Sequence, residues 1–536
     1  MPKAAPFATD EDKLLQIQRR YWEAQAELVR RLSAGGKQEP VIAPEPSDRR
    51  FKAPEWAEQP FFDYLRQSYL LYARYVMELA DASKLEGQAR AKHLFFTRRY
   101  LEAISPANFA ATNPEVMKLV ASTGGESLAR GLRNMVADAA KARIALADDT
   151  AFEVGKNLAV TPGAVVFRNR LLEVIHYAPA AAQVHPVPIV LVTPCINKFY
   201  VLDLQPKKSL IKYLLDRGFD VYITSWKNPG AEMRNTSFEE YITDGVGEAV
   251  RVACELSGSE KVHACGYCIG GTLLTAYMAW KSKQLPREEV PVAHWTLLCT
   301  LVDFQSPGDI EVFIDEASIA WLIDSMRARG YLDGSDMATT FRLLRSNSLI
   351  WHYMVHGWLY GEPLPPSDVL YWNMDCTRMA SRMHEFYLRE LYLNNNLIKP
   401  NALNIAGVPL ELSSIHVPLY QVSAADDHIT PWRQTFRING YVTGEKRFVL
   451  SSSGHILGIV NPPVNPPKRS FHAGRAHRGQ AADAWLEGAH RHEGSWWEDW
   501  IAWLAPRCGE PRTPPPLAAG DYAKLADAPG TYVLER

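Results

Sequence analysis

The stretch KVHACGYCIGGTLLTAYMAW, residues 261–280, decides the fold. Its apolar start fits a buried strand, its glycines mark a turn, and the run from Thr272 to Trp280 suits a helix. Inside the turn, Gly266-Tyr267-Cys268-Ile269-Gly270 is a G-x-S-x-G pattern with cysteine in the place of serine. Such a turn needs glycine because its backbone is strained and closely approached, and it presents a nucleophile at the top of a sheet. A thiol at a helix N-terminus also feels the helix dipole, which favours the thiolate. On this motif alone, a buried structural cysteine in a glycine-rich turn remains the competing reading.

If the turn carries a nucleophile, an acid and then a histidine are expected further along the chain. VPLYQVSAADDHITPW (417–432) ends an apolar strand in Asp426-Asp427-His428, and KRFVLSSSGHILGIVNPP (446–463) ends another in Ser453-Gly454-His455. Both sets follow strands, where open α/β sheets hold their sites. His455 takes the role of base and an aspartate that of its orienting partner; spacing leaves Asp426 and Asp427 both open, and His428 reads as a turn residue. The first oxyanion donor is the backbone N–H of Ile269, just after the nucleophile. VTPCINKFYVLDLQP (192–206) follows the first central strand and supplies Ile196 as the candidate second donor, with Asn197 close behind and Cys195 as packing.

Working outward, AVVFRNRLLEVIHY reads as a hairpin, and PIVLVT, FDVYITSW, KVHACGYC, WTLLCTLV, VPLYQVSA and KRFVLSSSG as strands. Helical segments such as FEEYITDGVGEAVRVACELSG between them imply a parallel sheet with crossover helices. Together with the order nucleophile, acid, histidine, this is an α/β-hydrolase fold over 161–536. A stretch rich in aromatics and Met, 304–410, has no strong strand signal and is expected to form a helical cap or lid. Asp303, at the end of WTLLCTLVD, has the position of a strand-end site residue, but reads first as a helix N-cap at the entry to that cap. Residues 1–160 are α-rich, with a break at Gly124-Gly125 and an aromatic stripe (Phe61, Phe62, Tyr64, Tyr69, Tyr72, Tyr75) that reads as core or partner-facing packing. The Pro-rich run 505–522 looks like a linker into a tail laid on the surface.

The 536 residues carry 58 Lys+Arg against 60 Asp+Glu, a balance unlike that of a nucleic-acid binder. The seven cysteines are scattered without zinc-type pairs, so reduced thiols are expected. His472, His477, His490 and His492 match no standard metal spacing, and no metal is expected. The start MPKAAPFATDEDKLL has no apolar leader, and no run of about 18 apolar residues occurs. A cytoplasmic protein without a membrane span is the expectation.

With these residues in view, the chain resembles the polyhydroxyalkanoate synthases, which polymerise (R)-3-hydroxyacyl-CoA. The resemblance is carried by TPCINKFYVLDLQP, SWKNPGAEM, HACGYCIGGTLL, LVDF, VPLYQVSAADDHITPW, RFVLSSSGHILGIVNPP and GSWWEDWIAWL. It places the nucleophile on Cys268 and the base on His455, and a D-H-[IV]-x-P-W pattern selects Asp427 over Asp426. It implies a synthase of the class I type that acts as a homodimer without a second kind of synthase subunit, on the surface of polyester granules that carry other proteins. It also implies the substrate's own CoA in place of any cofactor, and the first and last of these motifs are similar to the group that favours short-chain monomers such as 3-hydroxybutyryl-CoA. The departures are Phe471, where a Trp is common, and Leu457, where a small residue is frequent two positions past the base; a bulky Leu there bears on monomer preference. The N-terminal 160 residues resemble the family weakly. A cysteine thioesterase or dienelactone-type hydrolase with the same triad, and a granule-surface protein without activity, are the competing functions.

Overall fold

The computed structural model describes residues 10–35 and 39–536. Residues 1–9, on which the expectation of no leader partly rests, lie outside the described residues. The chain forms two compact units, Met1–Asp148 with Thr339–Pro365, and Asp149–Ala338 with Pro366–Arg536. The insertion 304–410 is therefore shared between them.

The first unit is helical. Glu11–Ala34 starts at Asp10, whose side chain accepts from the amides of Asp12 and Lys13, satisfying donors that a helix start leaves open. Pro60–Asp81 buries Phe62 and Tyr69 in a cluster with Phe51 and Trp56. Its Phe61 stays exposed, and Tyr75 stacks on Tyr21. Helix Pro114–Ser122 stops before Gly124 and Gly125, both at positive φ, and Glu126–Ala140 follows.

The second unit is built on one eleven-stranded sheet. Its strands are β1 (Gly163–Arg168), β2 (Leu172–Tyr177), β3 (Ile189–Val192), β4 (Val221–Trp226), β5 (Val262–Tyr267) and β6 (Val292–Leu298). They continue with β7 (Leu419–Ala424), β8 (Lys446–Ser451), β9 (Ser470–Arg475), β10 (His490–Glu493) and β11 (Ala526–Asp527). The spatial order is β10-β9-β8-β7-β6-β5-β3-β4-β2-β1-β11. The six strands from β4 to β8 are parallel, and both margins are antiparallel. Strands β2 to β5 are buried along their length, as expected for a sheet covered on both faces.

Three expectations are corrected. The sheet is mixed rather than parallel throughout, because β9, β10 and the tail add antiparallel strands whose short, polar sequences carry no strand pattern. The tail joins the sheet through β11 instead of lying on the surface. Asp303 caps no helix: it is buried, and its carboxylate accepts from Gln305 N, Asn395, Gln434, Arg437 and Tyr441. It ties the end of β6 to the segment after β7, where a buried charge needs all these donors.

Candidate active site

Cys268 stands between β5 and the helix Ile269–Gln284 with φ 52° and ψ −127°. That strained conformation persists because its surroundings dictate it. Its N–H donates to Leu298 O of β6 at 2.9 Å, and its carbonyl accepts from Gly271 N at 2.9 Å. A Cβ on Gly270 would lie 2.3 Å from Val192 O, and one on Gly271 would lie 2.0 Å from Thr300 Oγ1. The glycines let the helix start sit directly on the ends of β3 and β6. Being the first helical residue, Ile269 has an amide without an intrahelical acceptor. Ile196 lies four residues past β3 and is half-buried, beside Asn197, which bridges to Cys376.

Asp427 and His455 come from the turns after β7 and β8. His455 Nδ1 donates to Asp427 Oδ2 at 2.6 Å, which leaves Nε2 for reacting groups. The other carboxylate oxygen accepts from the amides of Ile429 and Thr430 at 2.8 and 2.9 Å, and Thr430 Oγ1 donates to Oδ2 at 2.6 Å. Burial opposes the charge of Asp427, but His455 and Thr430 hold its carboxyl down at about 2. Burial likewise opposes a charged His455, yet Asp427, then Tyr267 and Cys268, raise its proton affinity well above the ordinary imidazole range. Of the two aspartates, Asp426 is exposed and Asp427 meets the histidine. His428 is half-buried beside the pair.

Several contributors escaped the sequence reading. Tyr267 stacks on the His455 ring at 5.5 Å and donates its hydroxyl to His455 O at 3.0 Å. Trp496 and Trp497 donate their indole N–H groups to Gly458 O and Ile459 O, both at 2.9 Å, fixing the chain just past His455. Tyr387 and Tyr392, from the insertion, pack with Phe304, and the Cys268 thiol adds to the effect of burial in raising both phenols. Cys299 follows β6 at φ 43°, fully buried, with its Sγ within 4.8 Å of ligand atoms of Asp427 and His455. Burial pushes its thiol up to about 12, as it does for Cys195. All seven cysteines are free thiols. The sheet register sets His472 opposite Arg491 and Phe471 opposite His492, so His472 and His492 point to opposite faces.

A cysteine on an elbow and a polarised His–Asp pair form the equipment for acyl transfer through a thioester. A family model described as "Poly-beta-hydroxybutyrate polymerase (PhaC) N-terminus" matches residues 47–214, and one described as "alpha/beta hydrolase fold" matches 188–462. The poly(3-hydroxyalkanoate) polymerase subunit PhaC of Cupriavidus necator is 40% identical over 493 residues, covering 91% of this chain and 83% of that one. The chain belongs to the poly(3-hydroxyalkanoate) polymerase family. The polymerase of Methylorubrum extorquens is 39% identical over 540 residues, covering 99% of this chain and 88% of that one. Like its relatives, the polymerase described here is an acyltransferase that makes polyester. Among solved structures, a monoacylglycerol lipase of Paleococcus ferrophilus is 14% identical with a TM-score of 0.33, covering 63% of this chain and 99% of that one. The fold assignment rests on sheet order and the family model instead. No described helix of the polymerase is long and apolar enough to cross a membrane.

Proposed function

We propose that Cys268 carries the acyl group during polymerisation of short-chain (R)-3-hydroxyacyl-CoA, with His455 as base and Asp427 as its orienting partner. The Cys268 thiolate attacks the thioester carbonyl, the Ile269 and Ile196 amides hold the oxyanion, and CoA leaves as the thiol, taking a proton from the imidazolium. Exchange of one thioester for another is close to energy-neutral, so the acyl-enzyme keeps its transfer potential. His455 then removes the proton from a 3-hydroxyl as that oxygen attacks the acyl-enzyme, forming the ester and freeing the thiol. The cycle uses no cofactor beyond the CoA of the substrate.

The observation that carries the reading is the placing of the strained Cys268 directly after Tyr267, whose ring stacks on the His455 that bonds Asp427. The aromatic wall of Phe304, Tyr387 and Tyr392 supports ester formation over hydrolysis, since an apolar cover limits water. The short-chain preference rests on the TPCINKFYVLDLQP and GSWWEDWIAWL motifs. A homodimer at a granule surface, within the cytoplasm, completes the proposal.

Purified protein incubated with (R)-3-hydroxybutyryl-CoA is expected to release free thiol and turn turbid together, and Cys268→Ala to do neither. Thiol release with soluble hydroxy acid would instead identify a thioesterase. Faster turnover of 3-hydroxyoctanoyl-CoA would overturn the short-chain assignment.

A further inference from the structure

Cys299 has no task in this cycle, yet it lies in the most constrained part of the site. Its N–H donates to Val422 O of β7 at 2.8 Å, and the preceding residue, Leu298, accepts from Cys268 N. The backbone is thus held between the elbow and the strand that leads to Asp427. The side chain shares a buried space with two polar groups of complementary type. Sulfur of Cys299, a ring nitrogen of His455 and a carboxylate oxygen of Asp427 all lie within 4.8 Å of one another.

Thiolate, imidazole and carboxylate are the donors that soft and borderline divalent cations take together, whereas Mg2+ and Ca2+ prefer oxygen alone. With metal–ligand bonds of about 2.0–2.3 Å, tetrahedral donors stand roughly 3.3–3.8 Å apart. Reaching that spacing requires side-chain rotations that open the 2.6 Å His455–Asp427 hydrogen bond and draw in the Cys299 sulfur. Asp427 is already ionised and aimed by Ile429 N, Thr430 N and Thr430 Oγ1, the outer support that protein metal ligands use. Three protein donors leave a fourth position for solvent.

We propose that Cys299, Asp427 and His455 form a binding site for a divalent cation of the Zn2+ or Cd2+ kind, and that its occupation switches the enzyme off. Binding releases two protons to solvent, one from the Cys299 thiol and one from the imidazolium nitrogen that takes the metal, and puts the imidazole out of use. The switching half rests on the assignment of His455 as base; the binding half does not.

Titration of the full chain with Cd2+, read by the thiolate-to-cadmium ultraviolet band, separates the two. Cys268→Ala is expected to keep one equivalent of tight binding that Cys268→Ala/Cys299→Ser loses, with thermal denaturation confirming that both variants are folded. Equal binding by the two, or loss already in Cys268→Ala, would overturn the site. In parallel, Zn2+ is expected to stop CoA release by the unmodified enzyme reversibly on chelation. Cys299→Ser is expected to need at least ten times more Zn2+ for half-inhibition. Cd2+ binding at Cys299 with undiminished turnover would overturn the switch, and with it the role given to His455.

Discussion

Asp427 lies at the centre of the site's electrostatics, because its carboxylate is what overcomes the burial of His455. The elevated proton affinity means that the imidazolium persists to higher pH than a free histidine allows, and in the proposed cycle this histidine is the group that takes the proton of Cys268. Asp427→Asn removes that charge while leaving the shape, so burial then dominates and the histidine loses its proton at lower pH. Alkylation of Cys268 at pH 6–7, followed on its peptide by mass spectrometry, is expected to slow, and turnover to fall roughly 10²- to 10⁴-fold. An unchanged alkylation profile would show that the pair does not act on the thiol. At this scale the sequence is eloquent about Cys268, Asp427 and His455, since each follows a strand end in the order that the chemistry needs. It is silent about the contacts that Tyr267 and Cys299 make with His455, which lies far along the chain; Thr430 stands three residues past Asp427, at a motif position open to any residue type, so its hydroxyl bond is not marked either.

Among the elements, the elbow and the central strands can be compared for how they tolerate change. The Gly270 position meets backbone oxygens of Val192 and Thr193, whereas the three atoms nearest a Cβ on Gly271 all belong to the side chain of Thr300. Gly271→Ala is therefore expected to lose activity and to recover part of it when combined with Thr300→Ala. Gly270→Ala finds no such rescue; assays of the three variants and the double variant test this. Strands β5 and β6 carry a different weakness in His263 and His294, whose Nδ1 atoms approach to 2.6 Å in the interior. Burial lowers the proton affinity of both, His294 to about 4. In the unfolded chain they bind protons near pH 6.5, so between pH 6.5 and 4 the unfolded state holds more protons and stability falls as pH drops. For His294 alone this amounts to on the order of 3 kcal/mol. Thermal melts from pH 7.5 to 4.5 are expected to show the decline, and a His263→Gln/His294→Gln variant to flatten it. The central strands were legible because burial on both faces makes them continuous apolar runs. β9 and β10 were not, because SFHAGR is only partly buried and HRHE is exposed along its length, so their register is set by the neighbour rather than by their own pattern.

For the sheet unit as a whole, the tail decides how the β1 margin is closed. Unpaired margin strands invite pairing with other chains, and β11 covers β1 with the register Ala164 to Asp527. A two-residue strand cannot hold itself there. The anchor is Glu173 on β2, fully buried, which receives Arg168, the amides of Thr531 and Tyr532, and the Thr531 hydroxyl. The sequence did carry this signal: a lone acidic residue inside the apolar run LLEVIHY requires a partner, although nothing local identifies it as the far end of the chain. Further along, Asn228 N, just past β4, donates to Glu535, and Arg378 of the insertion donates to the carbonyl of Arg536. Glu173→Gln keeps the volume and removes the charge, leaving its amide group against donors that want an acceptor. The expected cost is about 3 kcal/mol, read as a lowered Tm. Trypsin is expected to cut after Lys524 faster in the variant than in the unmodified chain, because the cut needs β11 to detach. A lowered Tm without faster cutting would mean that Glu173 stabilises the β1–β2 hairpin alone, and that other contacts hold the tail on the sheet.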